Sequence, residues 1–148
     1  MGKNDMNTLT KNILLVDDNL GDARLVNEVM LESKFNIQLH IVHDGMEALD
    51  FIFQKGKYVK AVCPNLIILD LNLPKKDGRE VLAEIKNNSV VNRIPVIILT
   101  ASDSEDDILK AYDLHANCYI TKPLDLEKFT RVLRLIDEFW LTIVQLPN

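Results

Sequence analysis

Residues 65–74 read NLIILDLNLP. Leu66, Ile67, Ile68 and Leu69 form an unbroken apolar run, Asp70 ends it, and Pro74 closes the loop behind. A solid apolar run this short suits a strand covered on both faces, since a strand with one wet face alternates. NILLVDD (12–18) and IPVIILTA (94–101) share the pattern. NIQLHIVH (36–43) alternates, as expected nearer a sheet edge, and NCYITKP (117–123) supplies a fifth strand. The segments between have helical periodicity. GDARLVNEVMLES (21–33) spaces its apolar residues for one face, and DGMEALDFIFQ (44–54) and DGREVLAEIKNN (77–88) open on Asp-Gly, a cap and turn. DSEDDILKAYDLH (103–115) carries acids in its first turn, and a last helix starts near DLEKFTRVL (125–133). The order (βα)5 predicts one doubly wound parallel α/β sheet.

The chain has 148 residues, enough for one domain, with 47% hydrophobic and 26% charged residues in the ordinary globular range. A net charge of −5 without a lysine- or arginine-rich cluster argues against direct nucleic-acid binding. The N-terminus, MGKNDMNTLTKN, lacks the apolar core of an export signal, and no apolar stretch approaches membrane-spanning length. Cys63 and Cys118 have neither metal-ligand spacing nor a disulfide framework around them. Reduced thiols and a cytoplasmic location without membrane attachment are therefore expected. The loop KGKYVKAVCPN (55–65) is the longest irregular stretch; a tolerated insertion is favoured over a binding surface.

Ligands of open parallel sheets bind beyond the carboxyl ends of the strands. Asp17 and Asp18 lie there on the first strand, Asp70 and Asn72 on the third, Thr100 and Ala101 on the fourth, and Lys122 and Pro123 on the fifth. The second strand offers no comparable group. At an effective dielectric of about 20, two carboxylates roughly 4 Å apart repel by about 4 kcal/mol. One lysine does not offset three acids; a hard divalent cation such as Mg²⁺ does. A cation and Lys122 thus make Asp70 tolerable at the mouth of an apolar strand, with one oxygen left free to react.

The segments LLVDDN (14–19), LIILDLNLP (66–74), VIILTA (96–101) and YITKP (119–123) together resemble the receiver domains of two-component response regulators, over about residues 12 to 136. The resemblance implies the flavodoxin-like sheet, strand order 2-1-3-4-5. It implies Asp70 as phosphoacceptor, and Mg²⁺ held by Asp18 directly, Asp17 through water, Asp70, and the carbonyl of Asn72. Thr100 and Lys122 are implied to bind the phosphoryl group, and Tyr119 to turn inward as Thr100 moves. A cis bond is implied between Lys122 and Pro123. Asn72 and Ser102 flank the approach of hydrolytic water. KKDGREVL (75–82), the long loop before the third strand and FWL (139–141) are similar to stand-alone receivers partnered with bacterial phytochromes.

The expected function is that of a stand-alone receiver in a phosphorelay. Asp70 accepts a phosphoryl group from a sensor histidine kinase or phosphotransfer protein, and the fourth helix, fifth strand and fifth helix report the change. The chain is expected not to be an enzyme, although it assists its own phosphorylation and dephosphorylation. A haloacid dehalogenase-type phosphatase needs an acid two residues beyond the nucleophile, where Asn72 stands. A flavodoxin needs a hydroxyl-rich phosphate loop, where DDNLGDA (17–23) would repel phosphate. A receiver-shaped scaffold that is never phosphorylated is the remaining alternative. Residues 1–11 are expected to form a flexible tail and residues 12–148 one receiver domain without an output domain. In EFWLTIVQLP (138–147) the apolar stripe widens and outruns the sheet. This tail either folds back or anchors a homodimer through Phe139 and Trp140; the homodimer is favoured.

Overall fold

The computed structural model describes residues 10–143 and 145–147. Five parallel strands, β1 (Thr10–Val16), β2 (Asn36–Val42), β3 (Leu66–Leu69), β4 (Val96–Thr100) and β5 (Cys118–Thr121), form one sheet in the order β2-β1-β3-β4-β5. The helices are α1 (Leu20–Leu31), α2 (Gly45–Ile52), α3 (Gly78–Lys86), α4 (Glu105–Asp113) and α5 (Leu126–Glu138). β1 begins two residues before the expected start, with Thr10 and Lys11 paired to Asn36 and Ile37. Residues 1–9 of the expected tail lie outside the described residues.

Alternation along the strands separates two apolar layers. Leu14, Val16, Ile67, Leu69 and Ile98 face α2, α3 and α4, packing on Ala48, Val81, Ile85 and Ala111. Ile13, Leu15, Leu66, Ile68 and Leu99 face α1 and α5, packing on Val26, Phe129 and Leu133. β3 and β4 are wholly buried, as their unbroken apolar sequences require. The register pairs Val16 with Leu69 and Leu69 with Ile98, so the chain leaves β1, β3 and β4 at one rim.

All five helices start on a side-chain cap: Asn19, Asp44, Asp77, Ser104 and Asp125. The glycine after two of these caps has a further cause. A Cβ at Gly78 would stand 2.3 Å from the Asp70 carbonyl oxygen, and one at Gly45 would stand 2.0 Å from that of Lys76. Both helices therefore start pressed against the loop that follows β3. The long loop carries one 3-10 turn, Gly56–Tyr58, whose tyrosine hydroxyl donates to Glu47 and whose ring packs on Phe51.

The C-terminal segment differs from the expectation of few intramolecular neighbours. After Glu138 the helix widens into a π turn, Phe139–Ile143. Phe129, Leu133 and Ile136 face the core, and ordinary helical spacing would next bring position 140 inward. The wider turn delays this by one residue, so Leu141 is buried, 2% exposed. Trp140 and Leu146 pack on the same layer, and the Asn65 side-chain amide donates to the Pro147 carbonyl at 3.1 Å. Phe139 stays 50% exposed. Val144, counted in the expected stripe, lies outside the described residues.

Candidate functional site

Four strand ends meet at the rim. Lys122 follows β5; its backbone N–H donates to Thr100 O at 2.7 Å, which fixes where its side chain departs. That side chain lies under the rim, with Nζ 2.8 Å from Asp17 Oδ2, 2.9 Å from Asp22 Oδ2 and 3.0 Å from Asp70 Oδ2. The described residues contain no cis peptide bond, so the expected cis bond at Lys122–Pro123 is instead trans. The three carboxylates draw the ammonium inward without it.

Asp70 and Asp17 are both buried, and both continue the ladder: the N–H of Asp70 donates to Val16 O and that of Asp17 to Val42 O. Asp70 Oδ1 accepts from Thr100 Oγ1 at 2.7 Å and from the Asn72 N–H at 3.1 Å. With Oδ2 on Lys122, neither oxygen is free, unlike the sequence expectation. A buried carboxylate is costly unless its oxygens find donors, and here they do. Asp17 Oδ1 accepts from the Asn19 N–H at 2.9 Å. Burial opposes the charge of Lys122, yet the hydrogen bonds and charges of Asp17, Asp22 and Asp70 outweigh it and hold its pKa above the ordinary value. Burial pushes the Asp17 carboxyl up, against the hydrogen bonds from Lys122 and Asn19.

Asp18 is exposed beside this pair, and carboxylate oxygens of Asp17, Asp18 and Asp70 lie within 4.8 Å of one another. Asp22 also faces the single ammonium. An oxygen-only donor set with this excess of negative charge fits a hard divalent cation. The N–H of Asn72 is the group turned toward Asp70.

Two residues at the site escaped the sequence reading. Asp22 reaches Lys122 from the first turn of α1; the sign was an acid three residues after the Asn19 cap. His43, just past β2, donates from Nδ1 to the Asp17 carbonyl at 3.0 Å, so the second strand does contribute. Its single polar side chain after an alternating run gave no such signal.

Thr100 is fully buried. Tyr119 points inward, packed on the α2–α4 layer, with its hydroxyl donating to Ser102 O at 2.9 Å. The Ser102 hydroxyl is occupied by Asp107 Oδ2 at 2.6 Å. Phe139 and Trp140 are not part of this cluster. They line an apolar groove of about 430 Å³ with Cys118, Ile120 and Leu135, along the edge strand β5. A larger hollow of about 740 Å³ lies between α2 and α3, lined by Met46, Phe53, Lys76 and Glu84, and holds none of the clustered acids.

Residues 13–134 match the response regulator receiver domain. The chain belongs to that family. It is 52% identical over 137 residues to the response regulator Rcp1 of Synechocystis sp., covering 93% of each chain. The Mn²⁺-bound form of Rcp1 superposes with a TM-score of 0.92 at 51% identity, covering 93% of this receiver and 99% of that chain. The phosphorylated cyanobacterial phytochrome response regulator RcpA gives 0.93 at 50% identity, covering 95% and 100%. The receiver is thus homologous to phytochrome response regulators, and its strand order is the flavodoxin-like one. Among the described residues no helix is long and apolar enough to cross a membrane.

Proposed function

We propose that this receiver accepts a phosphoryl group on Asp70 from a sensor histidine kinase or phosphotransfer protein, and that the acyl phosphate switches protein contacts. One observation carries the reading: Asp70 is enclosed by Lys122, Thr100 and the Asn72 N–H, with Asp17 and Asp18 alongside. Kinship with RcpA favours a phytochrome-type kinase as donor.

An Asp70 oxygen attacks phosphorus in line. The new O–P bond forms as the donor's P–N or P–O bond breaks, and the leaving group departs with the electron pair. Lys122 moves from carboxylate to phosphoryl oxygen, and Thr100 Oγ–H, now on Asp70 Oδ1, donates to the phosphoryl group instead. Mg²⁺ held by Asp17, Asp18, Asp70 and the Asn72 carbonyl would neutralise the charge on the transferring group. The chain supplies position and electrostatics rather than a turnover cycle, so it assists its own phosphorylation and hydrolysis without being a conventional enzyme. The added charge and acceptor oxygens favour the conformer with Thr100 and Tyr119 inward. Incubation with acetyl phosphate and Mg²⁺, then borohydride reduction and peptide mapping, is expected to mark residue 70 alone. A mark elsewhere moves the acceptor, and no mark with either acetyl phosphate or a phosphorylated kinase leaves a phosphorylation-independent scaffold.

The reading includes a homodimer on β5 and α5. The groove beside the edge strand is apolar, and Phe139 and Leu135 remain half-exposed along it. Exposed apolar surface of this kind marks an interaction site. Sedimentation at micromolar concentration should find a dimer that Phe139→Ala weakens. A monomer with and without beryllofluoride removes the proposal.

A further inference from the structure

The loop between β4 and α4 follows Thr100, which touches Asp70, and meets the Tyr119 hydroxyl, yet it has little to hold it. Ala101, Asp103 and Ser104 are exposed, and no apolar side chain of the loop is buried. Polar bonds hold it instead, and they form one chain. Arg79 Nη2 lies 2.7 Å from Asp107 Oδ1, while Asp107 Oδ2 accepts from Ser102 Oγ at 2.6 Å. The carbonyl of the same Ser102 accepts from the Tyr119 hydroxyl at 2.9 Å. α3, α4, the loop and β5 are thereby joined through two side-chain carboxylate oxygens and one carbonyl.

The placement of Arg79 is informative. It sits in the first turn of α3, the end of a helix that disfavours a cation. Nη1 is held by the capping Asp77 at 3.0 Å, which leaves Nη2 aimed across the rim. Arg79 and Asp107 are both shielded, with side chains 29% and 20% exposed, so solvent screens the pair less than the Asp106–Lys110 pair on α4, whose side chains are 70% and 60% exposed.

We propose that Arg79 and Asp107 are positioning residues for phosphoryl capture: their ion pair, acting through Ser102, holds the β4–α4 loop with Thr100 and Tyr119 already inward. The inference rests on Asp70 being the acceptor. It explains why the Thr100 hydroxyl stands 2.7 Å from Asp70 Oδ1 while Tyr119 is docked on the loop. Without the clasp, the loop must be ordered when the phosphoryl group arrives, and binding is weakened by that ordering.

The test uses the full chain and beryllofluoride with Mg²⁺ as the probe. Arg79→Gln and Asp107→Asn remove the ion pair, Arg79→Lys restores charge, and Asp106→Asn removes an acid from the same turn of α4 outside the clasp. Calorimetry is expected to find beryllofluoride affinity lowered about tenfold in the first two, within the range usual for coupled sites. Mg²⁺ affinity should be unchanged, Arg79→Lys should recover part of the loss, and Asp106→Asn should match the parent. The Thr100 methyl and Tyr119 ring NMR signals of the unliganded protein should shift in the same two variants. Unchanged beryllofluoride affinity and unchanged signals in both overturn the clasp. A parent protein that binds no beryllofluoride removes the phosphoacceptor reading instead, and the clasp then stands or falls on the NMR signals.

Discussion

Lys122→Met is expected to lower stability by about 3–5 kcal/mol in the presence of a chelator, the usual cost of removing one partner from a buried ion pair. Among the described residues Lys122 is the one cation bonded to Asp17, Asp22 and Asp70, and its side chain is 8% exposed. Methionine keeps the apolar stem but leaves Asp17 and Asp70, both buried, facing each other without the ammonium. Millimolar Mg²⁺ should restore part of the loss, because a ligand that binds only the folded state stabilises it by mass action. Asp22→Asn should cost far less, since Asp22 is 27% exposed and water can solvate what remains. Urea unfolding of the parent and both variants, with EDTA and with Mg²⁺, measures these effects. Equal midpoints for parent and Lys122→Met in EDTA would show that the lysine does not neutralise the cluster.

Leu141→Ala is expected to destabilise the protein by about 2–5 kcal/mol, the range for emptying a buried leucine site. Leu141 is 2% exposed among Phe129, Leu133 and Ile136. Two residues earlier, Phe139 is half-exposed, and Phe139→Ala should stay within about 1 kcal/mol of the parent by the same urea measurement. The contrast separates the two roles the C-terminal segment can have. A buried residue acts on the fold of its own domain, and an exposed one acts on association. A Leu141→Ala midpoint equal to the parent's would mean the segment does not complete the core.

The sheet was legible because its strands carry their environment in their composition. β3 and β4 are solid with Ile, Leu and Val and are wholly buried, while β2 alternates and lies at an edge. Asp17, Asp70, Thr100 and Lys122 were legible because each stands at the end of such a strand. Asp22 was not: an acid in the first turn of a helix has a local explanation, and only the tertiary fold brings it 2.9 Å from Lys122. The Asp-Gly pairs were legible as caps, but the approach of Gly78 to the Asp70 carbonyl depends on where two segments cross. The C-terminal segment misled for a physical reason. An apolar stripe follows the spacing of a regular helix, and one widened turn moves Leu141 inward while leaving Phe139 half-exposed.

The bond from Asn65 to Pro147 also has a practical side for protein engineering. Asn65 precedes β3 and exchanges two bonds with Asn12 near the start of β1, so it marks the end of the sheet opposite Asp70. The four residues of β3 lie between Asn65 and Asp70, five residue steps or about 16 Å at the usual rise per residue. A fluorescent reporter joined beyond Pro147 therefore begins at the far pole of the domain, where its bulk leaves the approach to the acids open to a donor protein.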